Sequence, residues 1–221
     1  MNQQTYVDKP AGYFDHVRRE LINEVPLGPH AVLEIGCGEG GAGAVLKSEG
    51  RARFVAGVEL FKDAARKASL VLDQVIVGNI EQIDLPFNDG QFDVIILGDV
   101  LEHLVDPWEQ VRRLSIYLAD GGSFVASLPN VRNWRVVFPL LISGKWEYQH
   151  IGIMDRTHLR FFTRQGMIDL FEKNGFTVTK IEPLGRKSRF ISRFLCGFLR
   201  ELAVPQYLVV STRKKEMRHA G

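Results

Sequence analysis

Residues 33–43 read LEIGCGEGGAG, an apolar run that carries Glu34 near its end and passes into five glycines. A short apolar run bounded by glycine reads as a buried strand. Glycine at positions 36, 38 and 40 lets the chain turn sharply and bring bare backbone closer to a ligand than any Cβ permits. The loop therefore leads from a strand into a helix and faces a nucleotide-like ligand. Gly36, Gly38 and Gly41 also match the spacing of the dinucleotide fingerprint, in which an acid after the second strand holds ribose hydroxyls. Glu59, in VAGVEL, stands at that place. Glu34 weighs between the two readings, because its carboxylate repels a pyrophosphate and attracts a ligand carrying an amino-acid ammonium.

Outward from the loop, the runs at 31–35, 54–58, 74–77 and 92–97 are short, rich in β-branched residues and bounded by Gly, Pro or Asp, as buried strands are. Helical segments alternate with them, from Gly43 to Ser48, Lys62 to Leu72 and Asp106 to Leu118. In the last, Asp106 can cap, Pro107 takes the first helical position and Glu109 follows three residues on. A fifth strand, 122–128, follows the Asp-Gly-Gly turn. The repeat predicts a doubly wound, mostly parallel sheet covered on both faces, with ligands at the carboxyl ends of its strands. Tyr13 to Val25 reads as an amphipathic covering helix. A cap insertion is expected at about 129–162, after strand five. A helix capped by Thr163 then runs to Asn174, and strands at 176–182 and 206–212 complete a seven-stranded α/β domain spanning residues 1–221.

The 221 residues are 45% hydrophobic and 24% charged with a net charge of +2, the balance of a globular domain and too little positive charge to imply nucleic acid. Cys37 and Cys196 form neither a disulfide pattern nor a zinc pattern, which suits a reducing, cytoplasmic setting. No transmembrane run is expected. In RFISRFLCGFLREL, residues Phe190, Ile191, Phe194, Leu195, Phe198, Leu199 and Leu202 fall on one helical face behind the basic GRKSR. Packing on the domain is the first reading. Peripheral membrane contact and a homodimer are the others.

VLEIGCGEG, the second-strand acid of VAGVEL and the run VGNIEQIDLPFNDGQFDVIILGDVLEHLVDPW together resemble the class I S-adenosylmethionine-dependent methyltransferases, over roughly residues 30–182. The resemblance implies a Rossmann-like fold and S-adenosylmethionine as cofactor. On it, Glu34, Gly36, Cys37, Gly38 and Gly40 would surround the methionine part. Glu59 would hold the ribose hydroxyls, with Leu60 beside it also lining the cofactor, Asn79 and Ile80 would meet the adenine, and Asp99 would open the loop after strand four. Many relatives carry Asp where Asn79 stands, although an amide oxygen also accepts hydrogen bonds. Cys37 needs no chemistry beyond being small in a tight loop.

A sulfonium is already an electrophile, so the protein must align the acceptor and, for a hydroxyl, remove a proton. His103 in GDVLEHL is one candidate, with shaping the cofactor pocket as its first reading. His158 in DRTHLRFFT is the other, with Asp155 three residues before it and His150 further upstream to orient an imidazole. A metal is the weaker use of that cluster, and none is expected. Trp134, Trp146 and Tyr148 could wall an acceptor, and Arg132, Arg135 and Lys145 could meet its anionic groups. The resulting reading is O-methylation of a small-molecule or glycan hydroxyl, with polysaccharide biosynthesis first because LPNVRNW followed by HLRFFT resembles methyltransferases associated with it. A quinone or lipid precursor is the alternative acceptor. The rivals are a non-catalytic cofactor sensor and a nicotinamide-dependent oxidoreductase.

Overall fold

The computed structural model describes residues 17–213. Its strands are β1 (His30–Ile35), β2 (Ala52–Glu59), β3 (Gln74–Val77), β4 (Phe92–Gly98), β5 (Leu118–Pro129), β6 (Phe176–Pro183) and β7 (Gln206–Arg213). They form one sheet in the order β3-β2-β1-β4-β5-β7-β6. All neighbours are parallel except that β7 runs antiparallel to both β5 and β6. The expected seven-stranded, mostly parallel, Rossmann-like sheet is borne out. Strand order reverses between β1 and β4, so their carboxyl ends open a crevice there.

Period-two alternation explains why both faces are covered. Leu33 and Ile35 of β1, Ile95 and Leu97 of β4, and Phe124, Ala126 and Leu128 of β5 enter one core with α4 (Pro107–Ser115) and α6 (Arg164–Glu172). Val32, Val94, Ile96 and Val125, at the intervening positions, enter a second core with α1 (Arg19–Ile22), α2 (Gly41–Ser48) and α3 (Lys62–Ala68). Burying each large aliphatic side chain contributes about 1.5–3 kcal/mol. The alternation therefore locks the register, since a slip of one residue would exchange the two faces.

The caps act as expected. Asp106 Oδ1 accepts the Glu109 N–H at 2.9 Å and Thr163 Oγ1 that of Gly166 at 3.1 Å. Strand five begins earlier than predicted: Leu118 already pairs with Phe92, and the Asp-Gly-Gly segment forms an irregularity before pairing resumes at Val94 and Ser123.

Two helices differ from expectation. Of the segment from Tyr13 to Val25, residues 13–16 lie outside the described residues, and only Arg19–Ile22 is helical. Arg18 is extended, with its guanidinium held by Asp99 at 2.5 Å. The apolar segment at 190–202 is two short helices, α7 (Arg186–Ser192) and α8 (Gly197–Ala203), rather than one. Gly197 takes φ +50° at the break. Leu202 is buried while Phe190, Phe194 and Leu199 are exposed, so the single packed face is not formed.

The insertion after β5 contains α5 (Trp134–Ser143), which the sequence reading left unassigned. It leaves and rejoins the domain at one neck, where Asn130 bridges Phe162 and the Val131 N–H donates to the Phe162 carbonyl at 2.9 Å.

Candidate functional site

The glycine loop closes over the ends of β1 and β2. The N–H groups of Gly36 and Cys37 both donate to the Val58 carbonyl, at 2.8 and 3.2 Å. Gly38 has φ +55° and Gly40, which starts α2, has φ +86°. At Gly40 a Cβ would also stand 3.0 Å from Ala68 Cα, so packing against α3 excludes a side chain as firmly as the backbone does. Cys37 is buried. A Cβ at Gly57 would lie 2.5 Å from its sulfur. Burial first, then Glu34 and Glu59, pushes the Cys37 thiol up, away from thiolate chemistry.

Two acids flank the loop. Glu59, the last residue of β2, accepts the Gly38 N–H at 2.8 Å through Oε2 and the Phe61 N–H at 2.9 Å through Oε1. It thus ties the loop to the strand, and a carboxylate has further lone pairs beyond these two bonds. Burial raises its pKa, opposed by the N–H groups of Phe61, Gly38 and Leu60. Glu34 is also buried, and its Oε2 has no hydrogen-bond partner. Burial, then Glu59, pushes its pKa up to about 8. Near neutral pH Glu34 is therefore mainly a protonated acid, a refinement of the carboxylate read from sequence. Asn79 Oδ1 accepts the Glu81 N–H at 3.1 Å and shapes the turn after β3, beside buried Ile80. Leu60 is half-buried at the exit of β2.

At the other lip, Asp99 follows β4 with φ +56°, the one non-glycine residue with positive φ among the described residues. Ser127 Oγ donates to Asp99 Oδ1 at 2.7 Å, and Gln206 donates to the same oxygen, while Arg18 pairs with Oδ2. This network holds a strained turn at the crevice edge.

The 3-10 turn Leu101–His103 comes next. His103 Nδ1 lies 3.1 Å from the Thr157 carbonyl and His158 Nδ1 lies 2.9 Å from the Ile153 carbonyl. The two rings meet edge to face with centroids 4.7 Å apart. Glu102 is 1% exposed and its Oε2 has no hydrogen-bond partner. Burial, then Asp99, drives its carboxyl well above the usual carboxylate range. Its backbone carbonyl accepts the Leu159 and Arg160 N–H groups at 2.8 and 3.0 Å, which seats the cap on this turn.

A family model described as a methyltransferase domain matches residues 10–181. The chain belongs to the methyltransferase-domain family. It is a class I enzyme with S-adenosylmethionine as cofactor. The methyltransferase is 29% identical over 177 residues to a ubiquinone biosynthesis O-methyltransferase of Cereibacter sphaeroides, covering 76% of this chain and 67% of the relative. It is 28% identical over 201 residues to one of Albidiferax ferrireducens, covering 81% and 75%. Its fold matches that of an S-adenosylmethionine-dependent methyltransferase from Mesorhizobium loti with a TM-score of 0.64, at 18% identity over 90% of this chain and 100% of that one.

In the methyltransferase, the residues read from sequence divide into three groups. The glycine loop, Glu34, Glu59, Leu60, Asn79, Ile80 and Asp99 all lie at the carboxyl ends of the first four strands or in the loops after them. His103 and His158 come together, but His150 does not join them: it is exposed, with Nε2 3.5 Å from Arg156. Asp155 builds the turn beneath them, its Oδ1 accepting the Thr157 N–H at 2.9 Å and Oγ1–H at 2.7 Å, while the His158 ring bonds the Ile153 carbonyl. Trp146 and Tyr148 pack on Phe161 at 5.3 and 6.2 Å, and Phe161 lies 6.3 Å from the His158 ring. Trp134 lies instead on α5 against Phe138, under the Arg135 guanidinium. Arg132 pairs with Glu201 at 2.6 Å and Lys145 with Glu147 at 3.6 Å. Glu102 and Phe161 escaped the sequence reading. The signal for Glu102 was its place beside His103 in LEH, and that for Phe161 its place three residues after His158.

Proposed function

We propose that the methyltransferase transfers the methyl group of S-adenosylmethionine to a hydroxyl on the ring of a quinone precursor. The observation that carries this reading is the packing of Phe161, Trp146 and Tyr148 beside the His103–His158 pair, which offers a flat ring an aromatic wall next to groups able to manage a hydroxyl proton. The names of the relatives, ubiquinone biosynthesis O-methyltransferases, support it. In this reading the glycine loop with Glu34 takes the methionine part and Glu59 the ribose, while Asn79 and Ile80 flank the adenine. Asp99 holds the crevice edge. His158 and His103 face the acceptor, and Asp155 positions the turn that carries His158. A phenolic hydroxyl ionises near pH 10, so at neutral pH its proton has to be drawn off before the oxygen attacks. Residues 1–221 act as one domain with 129–162 as its cap.

The exposed free thiol of Cys196 supports a reducing, cytoplasmic site of action. Among the described residues no helix is long and apolar enough to cross a membrane. The exposed apolar residues of α5 and of the α7–α8 pair support peripheral contact with an anionic membrane surface.

The test is transfer of labelled methyl from S-adenosylmethionine to a panel holding dihydroxybenzene-type quinone precursors and sugar-nucleotide acceptors. Label on the ring hydroxyl is expected. Label found only on sugars would restore the glycan acceptor expected from the sequence, and cofactor binding with no transfer to any acceptor would favour a sensor.

A further inference from the structure

We propose that Glu81 is a positioning residue that couples the cofactor crevice to the cap over the acceptor, by tying the loop after β3 to the segment 102–106 on which the cap is seated. The coupling rests on the O-methyltransferase reading, in which Asn79 and Ile80 flank the adenine and the cap carries the acceptor wall.

The loop 79–84 is held at both ends of α4. Glu81 Oε1 accepts the N–H groups of Val105 and Asp106, at 2.8 and 3.1 Å. Asp106 is the N-cap of α4 and Val105 precedes it, so neither N–H has a partner inside the helix. Bonds to an ionised carboxylate are about twice as strong as those between neutral groups. From the far end of α4, the Arg113 guanidinium donates to the carbonyls of Glu81 and Ile83, at 3.1 and 2.8 Å. Asn79 Oδ1 in turn accepts the Glu81 N–H. The side chain placed beside the adenine and the carboxylate that grips α4 are therefore parts of one turn.

The cap grips the same segment from the other side. The Leu159 and Arg160 N–H groups donate to the Glu102 carbonyl, and Arg160 Nε donates to the Val105 carbonyl at 3.0 Å. Val105 thus meets Glu81 through its N–H and Arg160 through its carbonyl, while Leu101 and Leu104 beside it are fully buried in the core. The segment is a strap with the adenine loop on one side and the cap on the other. Val105 is 55% exposed, so water competes for both of its bonds and the strap opens by local fluctuation. A cofactor that holds the loop still removes part of that freedom, and the cap is seated as a result.

The test is amide hydrogen exchange of the full chain, read residue by residue by NMR, with and without S-adenosylhomocysteine. In the wild type this compound should slow exchange across 79–84. It should also slow it about fivefold or more at Leu159 and Arg160, the lower end of ordinary coupling between sites. Glu81→Ala should keep the slowing at 79–84 and lose it at the two cap amides. Glu81→Gln, which keeps an acceptor oxygen, should restore it, as a merely structural defect would not. Arg160→Met breaks the strap from the cap side and should act like Glu81→Ala. The two combined should lose no more than either alone, because the links act in series. Slowing at 79–84 with none at Leu159 and Arg160 in the wild type overturns the coupling and leaves the cofactor placement standing. Cap slowing that Glu81→Ala and Arg160→Met both retain in full does the same. No slowing at 79–84 would remove the adenine from this loop, and the coupling with it.

Discussion

Glu34, one residue before the end of β1, and Glu59, at the end of β2, lie on neighbouring parallel strands, and the stronger perturbation falls on Glu34, whose Oε2 has no hydrogen-bond partner. A carboxyl titrating near 8 when folded and near 4.5 when unfolded holds its proton more tightly in the folded state. Its contribution to stability is therefore full below about pH 4.5 and is lost as the pH rises through 8. A cofactor bearing an ammonium and a sulfonium reverses this by favouring the carboxylate. Binding at pH 7 should accordingly release close to one proton. Calorimetry in phosphate and in Tris, whose ionisation enthalpies differ, reads that number directly. Glu34→Gln should abolish the release and weaken affinity about tenfold, the scale of one charge-assisted hydrogen bond. Equal heats in the two buffers for the wild type would remove Glu34 from the ammonium's surroundings. The acid itself was legible in the sequence because it stands beside the glycines. Its protonation was not, because that depends on burial and on Glu59 across the strand. Glu102 was harder still: the groups that give it meaning, His158 and Asp155, lie more than fifty residues away in the chain.

Among the elements, the cap depends on two asparagines in LPNVRNW. Asn130 Nδ2 donates to the carbonyls of Glu201 and Val204, at 2.9 and 2.8 Å, and Asn133 Nδ2 to that of Leu202 at 2.9 Å. These bind carbonyls in and just after the last turn of α8, where the Glu201 carbonyl also accepts the Val204 N–H at 3.3 Å. Asn130 is fully buried, so Asn130→Ala should take the side-chain donor from the Val204 carbonyl and leave the Glu201 carbonyl only the Val204 N–H, at a cost of about 2 kcal/mol, which lowers Tm by roughly 4–8 °C in a chain of this size. Asn130→Asp should be no better, since it keeps the shape and loses both donors. A melting temperature unchanged in both variants would show that this anchor contributes nothing. The strands and capped helices were legible because alternation and capping are local. α5 and the break between α7 and α8 were not. Apolar periodicity runs straight through residues 190–202, whereas the chain turns at Gly197 in a left-handed conformation and α8 then packs on both α5 and α7, contacts that periodicity does not encode.

At the scale of the molecule, the sheet buries apolar side chains on both faces, yet the cap side leaves many uncovered. Leu141 is 75% exposed, Ile142 81% and Phe194 75%, and α8, which follows Phe194, touches both α5 and α7. Exposed Arg135, Lys145, Arg186, Lys187, Arg193 and Arg200 belong to the same elements or flank them. Apolar anchors among cations are the composition that binds an anionic interface, each cation contributing about 1 kcal/mol near the surface. A quinone precursor carrying a lipid tail would reach a cap held there without leaving the membrane. The methyltransferase should therefore co-sediment with vesicles containing anionic lipid, less so as salt shortens the Debye length, and hardly with neutral vesicles. Leu141→Glu combined with Ile142→Glu should cut that binding about tenfold while S-adenosylmethionine affinity stays unchanged, because neither residue lies at the strand ends that form the crevice. If sedimentation shows instead a stable dimer that ignores vesicles and is split by the same pair of substitutions, this surface joins two copies of the chain and the membrane contact is wrong.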